Sequence, residues 1–146
     1  PLVLQFKFNT AFHKGGRFTT DNSVYTKTTG TDDPWLFASA ARSLQKCIIP
    51  LRGKEDGPAR YTVRLAFADS ENDQPGRRVF DIKLQGKLVQ ENFDIVQEMG
   101  GRDRAVFKQF DNIEVGDNLT IELIPKTDKP TAEQLPILHG VEIVRE

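Results

Sequence analysis

Three carboxylates alternate at Asp69, Glu71 and Asp73, which is how a calcium-binding loop begins. Such a loop needs a glycine at its sixth position and a bidentate glutamate at its twelfth. Gln74 and Phe80 stand there instead, so the run reads as a solvated acidic loop. Paired carboxylates also serve glycoside hydrolysis, provided their environments differ enough to keep one protonated. The sequence sets no pair apart in that way and shows no nucleophile or acid–base set, so a noncatalytic protein is expected. His13 and His139 have no second histidine or cysteine at a ligand spacing, and neither a metal nor another cofactor is expected. His139 shares parity with Ile137, Val141 and Ile143, the position of a satisfied, partly buried histidine. Trp35, next to Pro34, has two roles open to it: packing at the core or rim, or offering an aromatic face to a sugar. Residues 102–108 are locally basic, but Asp103 interrupts them and a solvated strand end accounts for them. Asn118-Leu119-Thr120 is a glycosylation sequon if the chain enters a eukaryotic secretory route.

The elements that must position these groups are strands. Tyr61, Val63, Leu65 and Phe67 alternate with Thr62, Arg64, Ala66 and Ala68, the pattern of a strand with one buried face and one less apolar face. After a polar insert at 69–78, with a turn at Pro75 and Gly76, Phe80, Ile82 and Leu84 alternate with Val79, Asp81 and Lys83. Two such arms predict antiparallel β structure. Leu2, Leu4, Phe6 and Phe8 give an opening strand expected to close against the other end of the chain. Residues 9–33 read as loop and candidate rim, broken by a short strand at 24–27. Short strands are expected at 35–37 and 44–51, separated by the small-residue run 38–42, with a surface turn at 52–58. Gln85, Gly86 and Lys87 form a tight turn into a strand at 88–93. Asp94 caps a helical turn over 95–99 that Gly100 and Gly101 end. Strands follow at 104–110 and 119–124 around a turn at Gly116, Asp117 and Asn118, then a loop at 125–135 and a closing strand at 137–144. About eight short strands with almost no amphipathic helix predict an all-β, antiparallel two-sheet sandwich of jelly-roll type. An immunoglobulin-like sandwich is the alternative, weakened by the missing cysteine pair.

The bulk numbers agree with one domain. A chain of 146 residues can bury a core without staples. Twenty basic residues nearly balance 21 acidic ones, for a net charge of -1, which offers no electrostatic footprint for nucleic acid. Cys47 is the single cysteine, so an intramolecular disulfide and a four-cysteine zinc site are both excluded. It reads as a small apolar residue packed in a strand. No apolar run approaches the roughly 20 residues that cross a bilayer, so no membrane insertion is expected. The chain starts at Pro1 and enters a strand pattern at once. It is therefore expected to be a piece of a larger protein with flanking domains.

Five blocks taken together are similar to the malectin family of carbohydrate-binding domains: GTDDPWLF (30–37), YTVRLAFAD (61–69), RVFDIKLQGKLVQENFDI (78–95), the Gly100-Gly101 pair and LPILHGVEIV (135–144). Their order and spacing match over roughly residues 28 to 145. The resemblance implies a jelly-roll, galactose-binding-like sandwich. It occurs in animals as a lectin for glucose-containing oligosaccharides, in plants within receptor ectodomains and in bacteria as an appendage of secreted enzymes. It further implies an extracellular, cell-surface or periplasmic setting and a glycan partner, possible glucose content included. The aromatic pair of the animal lectin's sugar site falls on Glu71 and Asn72, one tyrosine on Arg42, another near Thr20, and the aspartate before the last strand on Gln134. Arg42, Glu71, Asn72 and Gln134 would then form a polar cleft, with Tyr25 or Trp35 as a displaced aromatic platform. A carbohydrate-binding module using rim loops is the expected function. A structural or protein-interaction sandwich that has lost the sugar site is the alternative.

Overall fold

Alternating apolar residues become antiparallel strands in a computed structural model that describes residues 2–5, 13–14, 17–20, 28–32, 34–42, 46–51 and 57–146. In chain order the strands are β1 (Leu2–Gln5), β2 (His13–Lys14), β3 (Arg17–Thr20), β4 (Ser39–Arg42), β5 (Lys46–Pro50) and β6 (Ala59–Phe67). They continue with β7 (Val79–Leu84), β8 (Lys87–Asp94), β9 (Val106–Val115), β10 (Asn118–Pro125), β11 (Ile137–Leu138) and β12 (Gly140–Arg145). One sheet runs β1-β12-β6-β9, a second β2-β5-β10-β7-β8, and a short third β11-β4-β3. As expected, the opening strand pairs with the far end of the chain, Leu2 opposite Ile143 and Leu4 opposite Val141.

The inward parity of both large sheets meets in one core. Val63, Leu65 and Phe67 of β6 and Val141 and Ile143 of β12 share it with Ile49, Ile82, Leu84, Leu119 and Ile121 of the facing sheet. Phe67 crosses the gap to Phe80 and Phe93, at centroid separations of 5.7 and 4.8 Å. Phe80 and Phe93 meet edge to face at 5.5 Å, the arrangement that aromatic quadrupoles favour. Cys47 lies fully buried among these side chains, and burial pushes its thiol up to about 12.

The β7–β8 turn shows how a local exception is held. Gln85 and Gly86 both take positive φ, 54° and 75°, as the two-residue turn that matches strand twist requires. Gln85 lacks the freedom of glycine, and its side chain is tied down. It donates to the Glu114 and Asn118 carbonyls at 3.2 Å, and its Oε1 accepts from the Thr120 N–H at 2.6 Å. Helix α1 (Ile95–Met99) is capped as expected: Asp94 accepts from the Gln97 N–H, and Gly100 takes the left-handed conformation.

Elsewhere the chain departs from its sequence pattern. Pro34–Ala38 forms a 3₁₀ helix where 35–37 had been expected as a strand. Leu36 and Phe37 are consecutive yet both buried, and a strand would send them to opposite faces. The small-residue run that followed is itself part of β4. Strand β9 continues to Val115, beyond the expected end at 110. The loop expected over 9–33 contains β2 and β3. The expected closing strand is split between two sheets at His139, which donates its backbone N–H to the Ala66 carbonyl at 2.9 Å and its Nε2 to the Ala68 carbonyl at 3.1 Å. Expectations for 6–8, 24–27, 43–45 and 52–56 lie outside the described residues.

Strand β6 is also buried behind. Ala66, on its outward parity, and Ala68, just past its end, join Leu36, Phe37, Ala105 and Phe107 in a second apolar cluster. Their small side chains let the 3₁₀ segment lie close to the sheet. Backbone bonds fix the approach, Thr29 N–H to the Asp103 carbonyl at 2.9 Å and Ala105 N–H to the Thr29 carbonyl at 2.8 Å.

Candidate functional site

Among the described residues, two places bear on the expected site: a buried knot around Arg78 and an open groove beside Trp35. The knot lies where the 69–78 insert meets the 131–135 loop. Arg78 leaves only 1% of its side chain exposed and Asp69 none, and they pair at 2.6 Å. Arg78 also donates to the Leu135 carbonyl at 2.8 Å, the Ala132 carbonyl at 3.0 Å and Glu71 Oε1 at 3.1 Å. Asp69 in turn accepts from the backbone N–H groups of Glu71 and Asn72 at 3.0 and 3.1 Å, and from the Asn72 amide at 2.9 Å. The other Asn72 contact is with the Glu133 carbonyl at 3.0 Å. A buried guanidinium needs this density of acceptors to offset its lost hydration.

This knot accounts for three of the residues singled out by resemblance. Glu71 and Asn72 meet around Arg78 and Asp69, while Gln134 lies in the 131–135 loop that Arg78 holds through the Ala132 and Leu135 carbonyls. Asn72 is buried with its amide turned onto protein acceptors. Gln134 closes its own turn, accepting from the Thr131 N–H at 3.0 Å. Asp69, the first carboxylate of the calcium-like run, is neutralised by Arg78. Among the described residues no group of three or more His, Cys, Asp or Glu side chains is placed to hold a metal ion. Arg42 ends β4, with its Cα opposite those of Ile137 and Arg17. Tyr25 lies outside the described residues. Trp35 is elsewhere, in the second place.

That second place is a groove of about 870 Å³ lined by Gly30, Thr31, Asp32, Trp35, Leu36, Arg64, Phe107 and Glu142. Its floor is the outward face of the β12-β6-β9 sheet, and its wall is the segment leading into the 3₁₀ helix. Trp35 presents 42% of its surface. Arg64 and Glu142 sit directly opposite each other on β6 and β12, with Arg64 Nη1 3.3 Å from Glu142 Oε2. The guanidinium lies 4.6 Å over the Phe107 ring, which restrains it by cation–π contact. Phe37 backs the wall, packing on Phe107 at 5.9 Å and on His139 at 5.2 Å. Arg64, Phe107 and Glu142 went unnoticed in the sequence. Their only signal is that each is out of phase with the core on its own strand, and the register bringing them together is not written locally.

Facing antiparallel sheets around one shared core, with an aromatic-edged groove behind one of them, make this an all-β sandwich of the galactose-binding-like, jelly-roll kind. The malectin domain family model matches residues 4–137. The chain belongs to the malectin domain family. Among curated relatives, one described as Probable LRR receptor-like serine/threonine-protein kinase, from Arabidopsis thaliana, is 35% identical over 121 residues, 74% of this chain and 12% of its own length. A second of the same description is 41% identical over 70 residues, 43% of this chain and 7% of its own. The chain therefore spans only a small part of these receptor kinases.

Solved structures agree on the fold. The complex of plant peptide RALF23 with FER and LLG2 matches at a TM-score of 0.72 and 20% identity, covering 94% of this chain and 41% of that one. The ANX2 ectodomain of Arabidopsis thaliana matches at 0.71 and 14% identity, covering 92% and 41%. A Bacteroides uniformis beta-glucuronidase matches at 0.70 and 20% identity, covering 92% of this chain and 14% of the enzyme. At these identities the likeness is one of fold. The setting expected from the sequence, outside the cytoplasm, agrees with the ectodomain in this set.

Proposed function

We propose that this malectin domain is a noncatalytic recognition module of a longer, multidomain extracellular or surface protein, and that it holds a glycan in the groove beside Trp35. The observation that carries the proposal is an exposed indole standing next to a restrained guanidinium–carboxylate pair. Sugar recognition combines an aromatic face for the CH side of a pyranose with oriented polar groups for its hydroxyls. Binding is by contact alone. In this reading Glu71, Asn72 and Gln134 shape the neighbouring loops and Trp35 touches the ligand.

Titration with gluco-oligosaccharides, followed by Trp35 fluorescence and by backbone amide shifts, tests this. Saturable shifts at Trp35 and Arg64 are expected, and Trp35→Ala should abolish them while leaving the fold intact. Shifts that persist in Trp35→Ala would refute the placement. A second reading, a protein or peptide partner, draws support from the fold neighbour solved with the peptide RALF23 and LLG2. Under that reading, immobilised domain captures a peptide ligand and free oligosaccharide fails to compete.

A further inference from the structure

We propose, resting on the glycan reading above, that the groove selects neutral pyranoses: Arg64 and Glu142 together bracket a vicinal pair of hydroxyls, and the groove turns away uronates and other acidic sugars. Each hydroxyl of such a pair can donate one hydrogen bond and accept another. One hydroxyl donates to Glu142 while its neighbour accepts from Arg64. Neighbouring hydroxyls that both stand axial point to opposite sides of the ring and do not span the two groups.

Four observations support the assignment. Arg64 and Glu142 meet through one contact, Nη1 to Oε2, so among the described residues Arg64 Nε and Nη2 and Glu142 Oε1 carry no further hydrogen bond. Both side chains are about one-third exposed, 34% and 30%, and those groups are open to a ligand. The pair is also pre-organised. Cross-strand register sets Glu142 opposite Arg64 and Phe107 holds the guanidinium plane from below, so little side-chain freedom remains to be lost on binding. Finally, among the described residues the lining holds two carboxylates, Asp32 and Glu142, against one guanidinium, Arg64. That net negative charge opposes a carboxylate or sulfate on the sugar. A cationic peptide side chain would escape this repulsion, but it would meet the Arg64 guanidinium on the groove floor. A neutral, hydroxyl-rich ligand meets neither obstacle.

The test titrates the whole chain with four probes: methyl glucoside, its fully O-methylated form, methyl glucuronide and the tripeptide Gly-Lys-Gly. Wild type should bind methyl glucoside at least about tenfold more tightly than either the O-methylated sugar or the glucuronide, a gap of about 1.4 kcal/mol. Arg64→Lys keeps the charge but loses the planar pair of donors, and should weaken the glucoside about tenfold. Glu142→Gln removes one negative charge and should narrow the gap between glucoside and glucuronide. Amide spectra that overlay on wild type away from the groove show that these variants fold. Equal or tighter binding of the glucuronide, or variants that bind like wild type while Trp35→Ala does not bind, would overturn the selectivity and leave the glycan reading standing. Trp35 shifts from Gly-Lys-Gly but from no sugar would overturn both.

Discussion

Arg78→Met isolates the knot that holds the 131–135 loop, and its cost follows from burial. The variant keeps most of the side-chain volume and removes the charge and every donor. Asp69, fully buried, then loses its guanidinium, while the carbonyls of Ala132 and Leu135 lose a donor each. Removing one partner of a buried ion pair costs about 3–5 kcal/mol, because the stranded charge stays desolvated. The three N–H groups still aimed at Asp69 offset part of this, whereas the lost carbonyl partners add about 1 kcal/mol each where water does not replace them. A net loss of about 3–5 kcal/mol is expected, a fall in Tm of about 10–15 °C at the usual slope for a chain of this size.

Urea unfolding followed by circular dichroism measures the loss directly. The adjacent Arg77 supplies the control. It is 65% exposed and 3.5 Å from Glu133, so Arg77→Met should cost no more than about 1 kcal/mol. A loss below about 1 kcal/mol in Arg78→Met, or equal losses at the two positions, would refute the claim that this pair anchors the loop. The double variant Asp69→Ala with Arg78→Met should cost less than the sum of the single ones, since the second change removes a charge that the first left stranded.

Other consequences can be measured separately. Ala66→Leu should cost about 1–3 kcal/mol by overpacking the cluster beneath Leu36 and Phe37, and it should reduce ligand binding by displacing the segment that bears Trp35; unchanged binding would disconnect that cluster from the site. Cys47 should resist a thiol reagent at pH 8 in the folded protein and react once unfolded. Since burial raises its pKa from 9.0 to about 12, the thiol stays neutral in both states below pH 9. Above that only the unfolded form ionises, so its share of the stability falls by up to about 1.4 kcal/mol per pH unit as pH rises toward 12, a dependence Cys47→Ala should remove. At Asp81 burial pushes the pKa up, but the Asn92 N–H, the hydrogen bond and charge of Lys126 and the charge of Lys83 outweigh it and hold the carboxyl below its usual 3.8. This stabilisation is complete above the unfolded value and lost as pH falls through the folded one. Lys126→Met should raise the Asp81 pKa in a carboxyl NMR titration, and an unmoved titration would remove Lys126 from the account.

Period-two patterning was enough to determine the architecture: Tyr61, Val63, Leu65 and Phe67 state a buried face with no help from distant residues, and so do Phe80, Ile82 and Leu84. The cap at Asp94 and the turn at Gln85-Gly86 were equally readable, because local hydrogen bonding and φ preferences set them. The apolar run 35–37 reads as a strand since Leu36 and Phe37 are apolar in either conformation, and only the small side chains of Ala66 and Ala68 behind it make the 3₁₀ turn the better burial. The break at His139 likewise depends on the carbonyls of Ala66 and Ala68, more than seventy positions upstream. Tertiary structure alone decided the polar chemistry. It turned Asn72 inward, buried Arg78, and set Arg64, Phe107 and Glu142 side by side on three strands, because strand register is fixed by the packing of the whole sheet and a side chain's partners follow from register.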